Sequence, residues 1–151
     1  MLDYSFNDWK SRAAALPLRG QAFIDGKFVD AISGKTFDSI NPATGAVLTA
    51  VAECDAADID LAVAAGRRAF EAGSWSRMAP ADRKAILLRL AELIRENLEE
   101  MALLDSVDMG KLITDAVTID APGSAHFFQW YAEAIDKIYD EIAPTGPVIW
   151  H

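Results

Sequence analysis

At Asp55 the chain changes its hydrophobic period from two to about 3.6, and that switch limits the folds open to it. Before Asp55, short apolar pieces alternate with specific turn signals. Ala22 to Asp30 (AFIDGKFVD) predicts a hairpin, with Phe23-Ile24 and Phe28-Val29 as strands and Asp25-Gly26 supplying the positive φ of a type I′ turn. Ser33-Gly34 marks a second turn. Thr36 to Ile40 and Val47 to Ala52 read as further strands around the loop Asn41-Pro42-Ala43-Thr44-Gly45. Ahead of the hairpin, Ser5 or Asn7 can cap a short helix through Trp9, Ala13 and Leu16, which Pro17 ends.

After Asp55 the pattern is helical. Asp55 is a cap residue with Asp58 three positions on, the spacing of a capping box. Ile59, Val63, Gly66 and Phe70 form a stripe, and Gly73 suits the left-handed residue that stops a helix. Pro80 sits at the first turn of the next helix, whose core face is Ile86 or Leu87, Leu90, Ile94 and Leu98. Met101, Leu104 and Val107 continue it past a bend until Met109-Gly110. Asp120 and Pro122 read as the start of a last helix through Phe127, Trp130, Tyr131, Ala134, Ile135 and Ile138. The class is α+β: short antiparallel strands, then about four helices, with no repeated βαβ unit. The end, Pro144 to His151 (PTGPVIWH), opens an apolar, β-prone segment. An unpaired end of that kind is an aggregation hazard, so the expectation is the opening portion of a larger enzyme.

Composition removes several functions. A formal net charge of −9 repels nucleic-acid phosphates and anionic lipid alike. No stretch approaches the roughly 18 apolar residues of a membrane span, and the start (MLDYSFNDWK) lacks the basic and apolar regions of a signal peptide. A cytoplasmic location is the expectation. The single cysteine, Cys54, rules out an internal disulfide. Its neighbours Glu53 and Asp55 oppose thiolate formation, so a structural role is expected rather than a nucleophile. His126 and His151 have no partner at metal-ligand spacing. Gly20, Gly26, Gly34 and Gly45 read as isolated turn glycines, and no glycine-rich phosphate loop occurs. Asp105, Asp108 and Lys111 read as a solvated polar corner or a capping arrangement at the helix break. Glu92 with Arg89 and Glu96 with Arg95 fit an outward charged face, and Phe127, Phe128, Trp130 and Tyr131 fit core or interface packing.

Taken in order, several segments resemble the NAD(P)-dependent aldehyde dehydrogenases. Phe23-Ile24-Asp25-Gly26-Lys27-Phe28-Val29 and Asn41-Pro42-Ala43-Thr44-Gly45 are similar to the family's opening "F-I-x-G-x-W/F-V … N-P-x-T-G". The run from Asp58-Ile59-Asp60 to Ala69-Phe70 is similar to its next helix, and Trp75 and Arg83 fall where its W…R pattern would put them. Asp108-Met109-Gly110-Lys111 matches its "D-x-G-K" corner, and Trp130 to Lys137 (WYAEAIDK) its "Y-Y/F-A-x-x-A-D-K" helix. The segment from Trp9 to Arg19 looks like the subgroup acting on γ-glutamyl-aminobutyraldehyde and related aminoaldehydes.

The resemblance implies the amino-terminal part of an aldehyde dehydrogenase-like α/β fold. Residues 1–21 would be an N-terminal helical segment, 22–143 part of the cofactor-binding domain, and 144–151 the start of an oligomerisation strand. Complete members use NAD or NADP, take small aldehydes and form homo-oligomers. A cysteine attacks the aldehyde, hydride leaves to nicotinamide, and a glutamate activates water. Those residues belong to segments after Trp150 in family order. Cys54 lies outside the family's G-Q-x-C context and does not inherit the nucleophile role. No catalytic or cofactor-binding residue carries over, and this chain by itself is expected to be inactive and to bind no cofactor. Some relatives hold a monovalent cation near the N-P turn through a backbone carbonyl and the Asp of D-x-G-K. Ile40 and Asp108 match those positions, giving an incomplete site. A non-catalytic module that associates with a full-length relative is the alternative.

Overall fold

The computed structural model describes residues 4–137. Helix α1 (Phe6–Ala14) opens with a complete capping box: Ser5 and Asp8 exchange side-chain and backbone hydrogen bonds. Strands β1 (Ala22–Ile24) and β2 (Lys27–Val29) pair antiparallel around Asp25 and Gly26, whose φ values of 53° and 76° are those of a type I′ turn. Phe23 faces Phe28 across this pair, ring centroids 5.0 Å apart. Strands β3 (Thr36–Ile40) and β4 (Val47–Ala52) form a second antiparallel pair with a bulge between Ser39 and Ile40. The predicted Asn41–Gly45 turn closes it. Asn41 Oδ1 accepts from Ala43 N–H at 2.9 Å, and Gly45, at φ 72°, donates to the Asn41 carbonyl at 2.8 Å.

Helix α2 (Ala56–Ala72) begins at the predicted Asp55–Asp58 capping box and stops at Gly73, φ 76°. Helix α3 (Pro80–Glu96) has proline in its first turn, and α4 (Leu98–Met109) follows after a break at Asn97. Asn97 turns its side-chain amide back onto the Leu93 carbonyl at 2.8 Å, so a local side-chain bond competes with the helix and bends it. Gly110, φ 75°, ends α4. A short turn α5 (Ile113–Asp115), a π-helical segment over Ala116–Asp120, α6 (Ala121–Ala134) and a 3₁₀ turn (Ile135–Lys137) complete the described chain. The structure therefore has short antiparallel strand pairs followed by helices, as the change of period at Asp55 predicts.

The core is built mostly of alanine. Ala91, Ala102, Ala116, Ala121, Ala125 and Ala132 are buried, joined by Ile94 and Leu103. Small residues allow backbones to approach closely, and α3 and α6 make the most extensive helix contact. Around Ala102, Ala116 and Ala121 pack Leu98, Met101, Ile113 and Val117.

Several expectations need correction. The last helical stretch does not start at Asp120: that residue has helical φ and ψ and makes no cap. Pro122 lacks the N–H an α-helix would send to Thr118, and the π turn just before it takes up the mismatch. Of the expected α3 face, Ile94 is buried and Leu87 half-buried, while Ile86 and Leu90 are exposed. Phe127, Phe128, Trp130 and Tyr131 are exposed rather than core, because α6 turns its alanines inward. The stripe Ile59, Val63 and Phe70 also faces outward. Glu96 pairs with Arg89 at 2.9 Å instead of Arg95, whose guanidinium reaches Gln129 on α6. Gly20 is no turn glycine: it lies against β4, its carbonyl accepting from Ala52 N–H at 2.7 Å. The expected strand at 144–151, with Ile138 and His151, lies outside the described residues.

Candidate functional site

The two loops that the sequence marks most strongly, Asn41–Gly45 and Asp108–Lys111, meet. The bulge at Ser39/Ile40 turns the end of β3 toward the last turn of α4, and Ser39 Oγ donates to Asp108 Oδ1 at 2.8 Å. Two residues on, Gly110 lies against Pro42; a Cβ there would be 2.9 Å from Pro42 Cγ. Glycine is required twice over at this position, by its φ of 75° and by the proline ring.

The corner is fixed from below as well. Ser106 Oγ donates to the Lys111 carbonyl at 2.8 Å, and Lys111 Nζ lies 2.6 Å from Asp120 Oδ2. The contact is an ion pair at hydrogen-bonding distance, and it is what Asp120 Oδ2 has for a partner among the described residues. The Asp120 carboxylate holds the Lys111 ammonium above its ordinary pKa, with smaller help from Asp115 and Asp105. Asp105 and Asp108 are exposed, as a solvated corner predicts, and Asp108 and Lys111 also tie that corner to β3 and to Asp120.

A cavity of about 330 Å³ opens beside the joint, lined among others by Arg19, Ser39, Thr49, Asp105 and Asp108. The C-terminal end of α4 carries the negative pole of its helix dipole, which with two carboxylates favours a cation. Arg19 already supplies one positive charge, its guanidinium stacked 3.8 Å from the centroid of Phe28. Of the two candidate cation ligands, Asp108 faces this cavity, and Ile40 is the residue beside Ser39 on the strand that touches it. Among the described residues, no three His, Cys, Asp or Glu side chains come together to hold a metal.

The N-terminus of α2 is a poor place for a phosphate. It is the natural anion site after a strand, but Asp55 and Asp58 already accept its free amides, and their negative charge repels phosphate. Cys54, half-buried just ahead of α2, has its thiol pKa pushed up by burial and then by Asp58 and Asp55. It stays protonated at neutral pH and is a poor nucleophile. His126 is exposed on α6 beside Phe127, away from any carboxylate cluster. No described helix is long and apolar enough to cross a membrane. The Ser39–Asp108 bond and the Pro42–Gly110 contact have no local signal, because neither residue type nor spacing links positions 69 and 68 apart in the chain.

The chain is similar to known proteins over most of its length. A profile of the aldehyde dehydrogenase family matches residues 28–149. The aminoacetaldehyde dehydrogenase of Pseudomonas aeruginosa is 52% identical over 142 residues, 94% of this chain and 29% of that protein. The crystal structure of gamma-glutamyl-gamma-aminobutyraldehyde dehydrogenase from Burkholderia cenocepacia superposes with a TM-score of 0.92 at 50% identity, over 95% of this chain and 29% of its own. An indole-3-acetaldehyde dehydrogenase crystallised with NAD+ gives 0.90 at 51% identity, over 93% of this chain and 28% of that one. The chain spans less than a third of the length of these relatives.

Proposed function

The chain belongs to the aldehyde dehydrogenase family, and from that premise we propose that it contributes one portion of an enzyme oxidising aldehydes with NAD or NADP. Residues 22–143 are read as part of the cofactor-binding domain, preceded by a helical segment over 1–21 and followed by the start of an oligomerisation strand over 144–151. The substrate class is small aminoaldehydes. The observation that carries this reading is the joint at Ser39, Pro42, Asp108 and Gly110, which ties the two family motifs into one structure, together with 52% identity to an aminoacetaldehyde dehydrogenase.

The portion is proposed to be inactive by itself. Cys54 is protonated, the α2 N-terminus is filled by carboxylates, and the described residues hold no acid–base pair in a cleft. An assay of the purified chain with NAD or NADP and an aminoaldehyde tests this: no turnover above background is expected, and sustained reduced-cofactor production that tracks the protein through purification would overturn it. Asp108 and the Ile40 carbonyl are proposed as two ligands of a monovalent cation completed by another segment. Sodium-23 relaxation should show only weak, exchangeable binding to this chain, and equal binding by Asp108→Ala would remove Asp108 from the site. A cytoplasmic location and homo-oligomeric assembly belong to the same proposal. The second reading, a non-catalytic module that joins a full-length relative, is favoured by the outward apolar faces of α2 and α6.

A further inference from the structure

The tip of the β1–β2 hairpin combines a reactive sequence with a backbone that leaves it open. Asp25 is the only aspartate in the sequence followed by glycine; Asp38 and Asp105 precede serine. A peptide nitrogen can close onto the aspartyl side chain one residue before it, and glycine, with no Cβ beside that nitrogen, crowds the ring least. Asp38 lies in the β3 ladder opposite Ala50, and Asp105 lies inside α4, where the regular element fixes the backbone. The tip is different. Asp25 and Gly26 stand in the left-handed region at φ 53° and 76°, and nothing lies within 4 Å of the place a Cβ on Gly26 would occupy. The Gly26 N–H is in no hydrogen bond among the described residues.

The ground beneath the tip is loose as well. A cavity of about 370 Å³ lies between the hairpin and α2, lined among others by Ile24, Val29, Ile32 and Leu61. The tip is held to α2 by the pair of Arg68 Nη2 and Asp25 Oδ2 at 3.1 Å, with side chains 62% and 69% exposed. Among the described residues this is the only hydrogen bond of the Asp25 carboxylate. The pair ties the carboxyl group to the helix, and ring closure has to release it.

We propose that Asp25 is a site of isoaspartate formation and that Arg68 restrains it. The nitrogen of Gly26 attacks Cγ of the protonated Asp25 carboxyl. The N–Cγ bond forms, the Cγ–OH bond breaks, and the amide proton leaves with the hydroxyl as water, giving a succinimide. Water then opens the ring. Attack at Cγ restores aspartate. Attack at the main-chain carbonyl breaks its bond to the Gly26 nitrogen and leaves the chain running through Cβ and Cγ. Nothing is oxidised or reduced, and water is the one reactant. The product adds a methylene to a two-residue loop. Loop length sets hairpin register, so the Ile24–Lys27 and Phe23–Phe28 pairs have to shift or open. None of this depends on aldehyde oxidation, since only the hairpin and α2 take part.

The test incubates the full chain at neutral pH for weeks. Isoaspartate is read by methylation of its free α-carboxyl with an isoaspartyl methyltransferase and S-adenosylmethionine, and is placed by fragmentation mass spectrometry. It should accumulate at residue 25 ahead of 38 and 105. Asp25→Glu keeps a carboxylate for Arg68 but needs a larger ring, and should remove the signal. An exposed ion pair is a weak restraint, so Arg68→Met should speed accumulation only a few-fold in the folded chain. In urea, where the pair is gone, Arg68→Met should change nothing, and Arg68→Lys should stay near the parent in both. No isoaspartate at 25, or rates at 38 or 105 that equal it, overturns the site. Arg68→Met without effect, or with the same effect in urea, overturns the restraint. In the aged fraction the Phe23–Phe28 ring contact seen by NMR should weaken, and its persistence at full strength would overturn the change of register.

Discussion

Ser39 and Asp108 are 69 positions apart, and their side chains meet in a hydrogen bond of 2.8 Å that joins the β3–β4 pair to the end of α4. Pro42 against Gly110 makes a second contact a few residues away. Removing the hydroxyl with Ser39→Ala deletes a bond at a partly exposed site, so urea unfolding should show a loss of about 1 kcal/mol. Gly110→Ala should lose more, about 1–3 kcal/mol, because it adds left-handed strain to a collision with the proline ring. Equal effects of the two substitutions would mean that the Pro42 contact does not hold the corner.

Gly20 gives a sharper contrast between two glycines. A Cβ on Gly20 would overlap the Ala50 carbonyl, which is backbone and cannot swing away, whereas the space around Gly26 is open. Gly26→Ala therefore meets only the cost of its positive φ, about 1 kcal/mol. Gly20→Ala must push the 18–20 segment off β4 and break the bond from Ala52 N–H to the Gly20 carbonyl. It should be the more damaging of the two, by about 1–3 kcal/mol in equilibrium unfolding. Amide exchange at Ala52 should rise in Gly20→Ala and not in Gly26→Ala.

These two glycines also show what the sequence could and could not disclose. Gly26 was legible, because Asp-Gly between apolar pairs has one common meaning and that meaning is local. The β3 and β4 limits and the Asp55–Asp58 cap were legible for the same reason. Gly20 was not, since its requirement comes from Ala50, thirty residues away. The stripe on α2 is legible as a stripe, but periodicity reports only that one face is apolar, not whether this chain covers it. Asp120, two residues ahead of Pro122, has the local look of a helix start. Its carboxylate is instead taken by Lys111, and the backbone runs on through a π turn. Asp108 was matched by resemblance, while its partner Ser39 carried no signal at all.

Cys54 should be chemically quiet. Burial and the carboxylates of Asp58 and Asp55 all raise its thiol pKa, so the thiolate fraction at neutral pH is below that of an ordinary cysteine. Alkylation by iodoacetamide at pH 7.5 should run several-fold slower than for a small unhindered thiol and speed up on unfolding in urea. Asp55→Asn should accelerate it modestly by removing one of the opposing charges. A native rate equal to that of free cysteine would contradict the arrangement.

Asp58 and Asp136 set the response to acid. Asp58 is 2% exposed and accepts from the Asp55 and Ile32 amides, each at 2.9 Å; these bonds hold its pKa below the ordinary 3.8. Lys137 first and Lys84 second lower Asp136 to about 2. A carboxylate depressed in the folded state stabilises that state above its unfolded pKa, and the contribution disappears as pH falls through the folded value. Stability should therefore be level from neutrality down to about pH 5 and decline from about pH 4 toward pH 2. Asp58→Asn faces two amide donors with a side chain that has only one acceptor, so it should lower stability at pH 7 and flatten the acid limb. Lys84→Met removes one partner from an exposed pair and should shift the limb only slightly. Urea midpoints measured from pH 7 to pH 2 check all three, and an unchanged acid limb in Asp58→Asn would show that this carboxylate is not what ties α2 to Ile32.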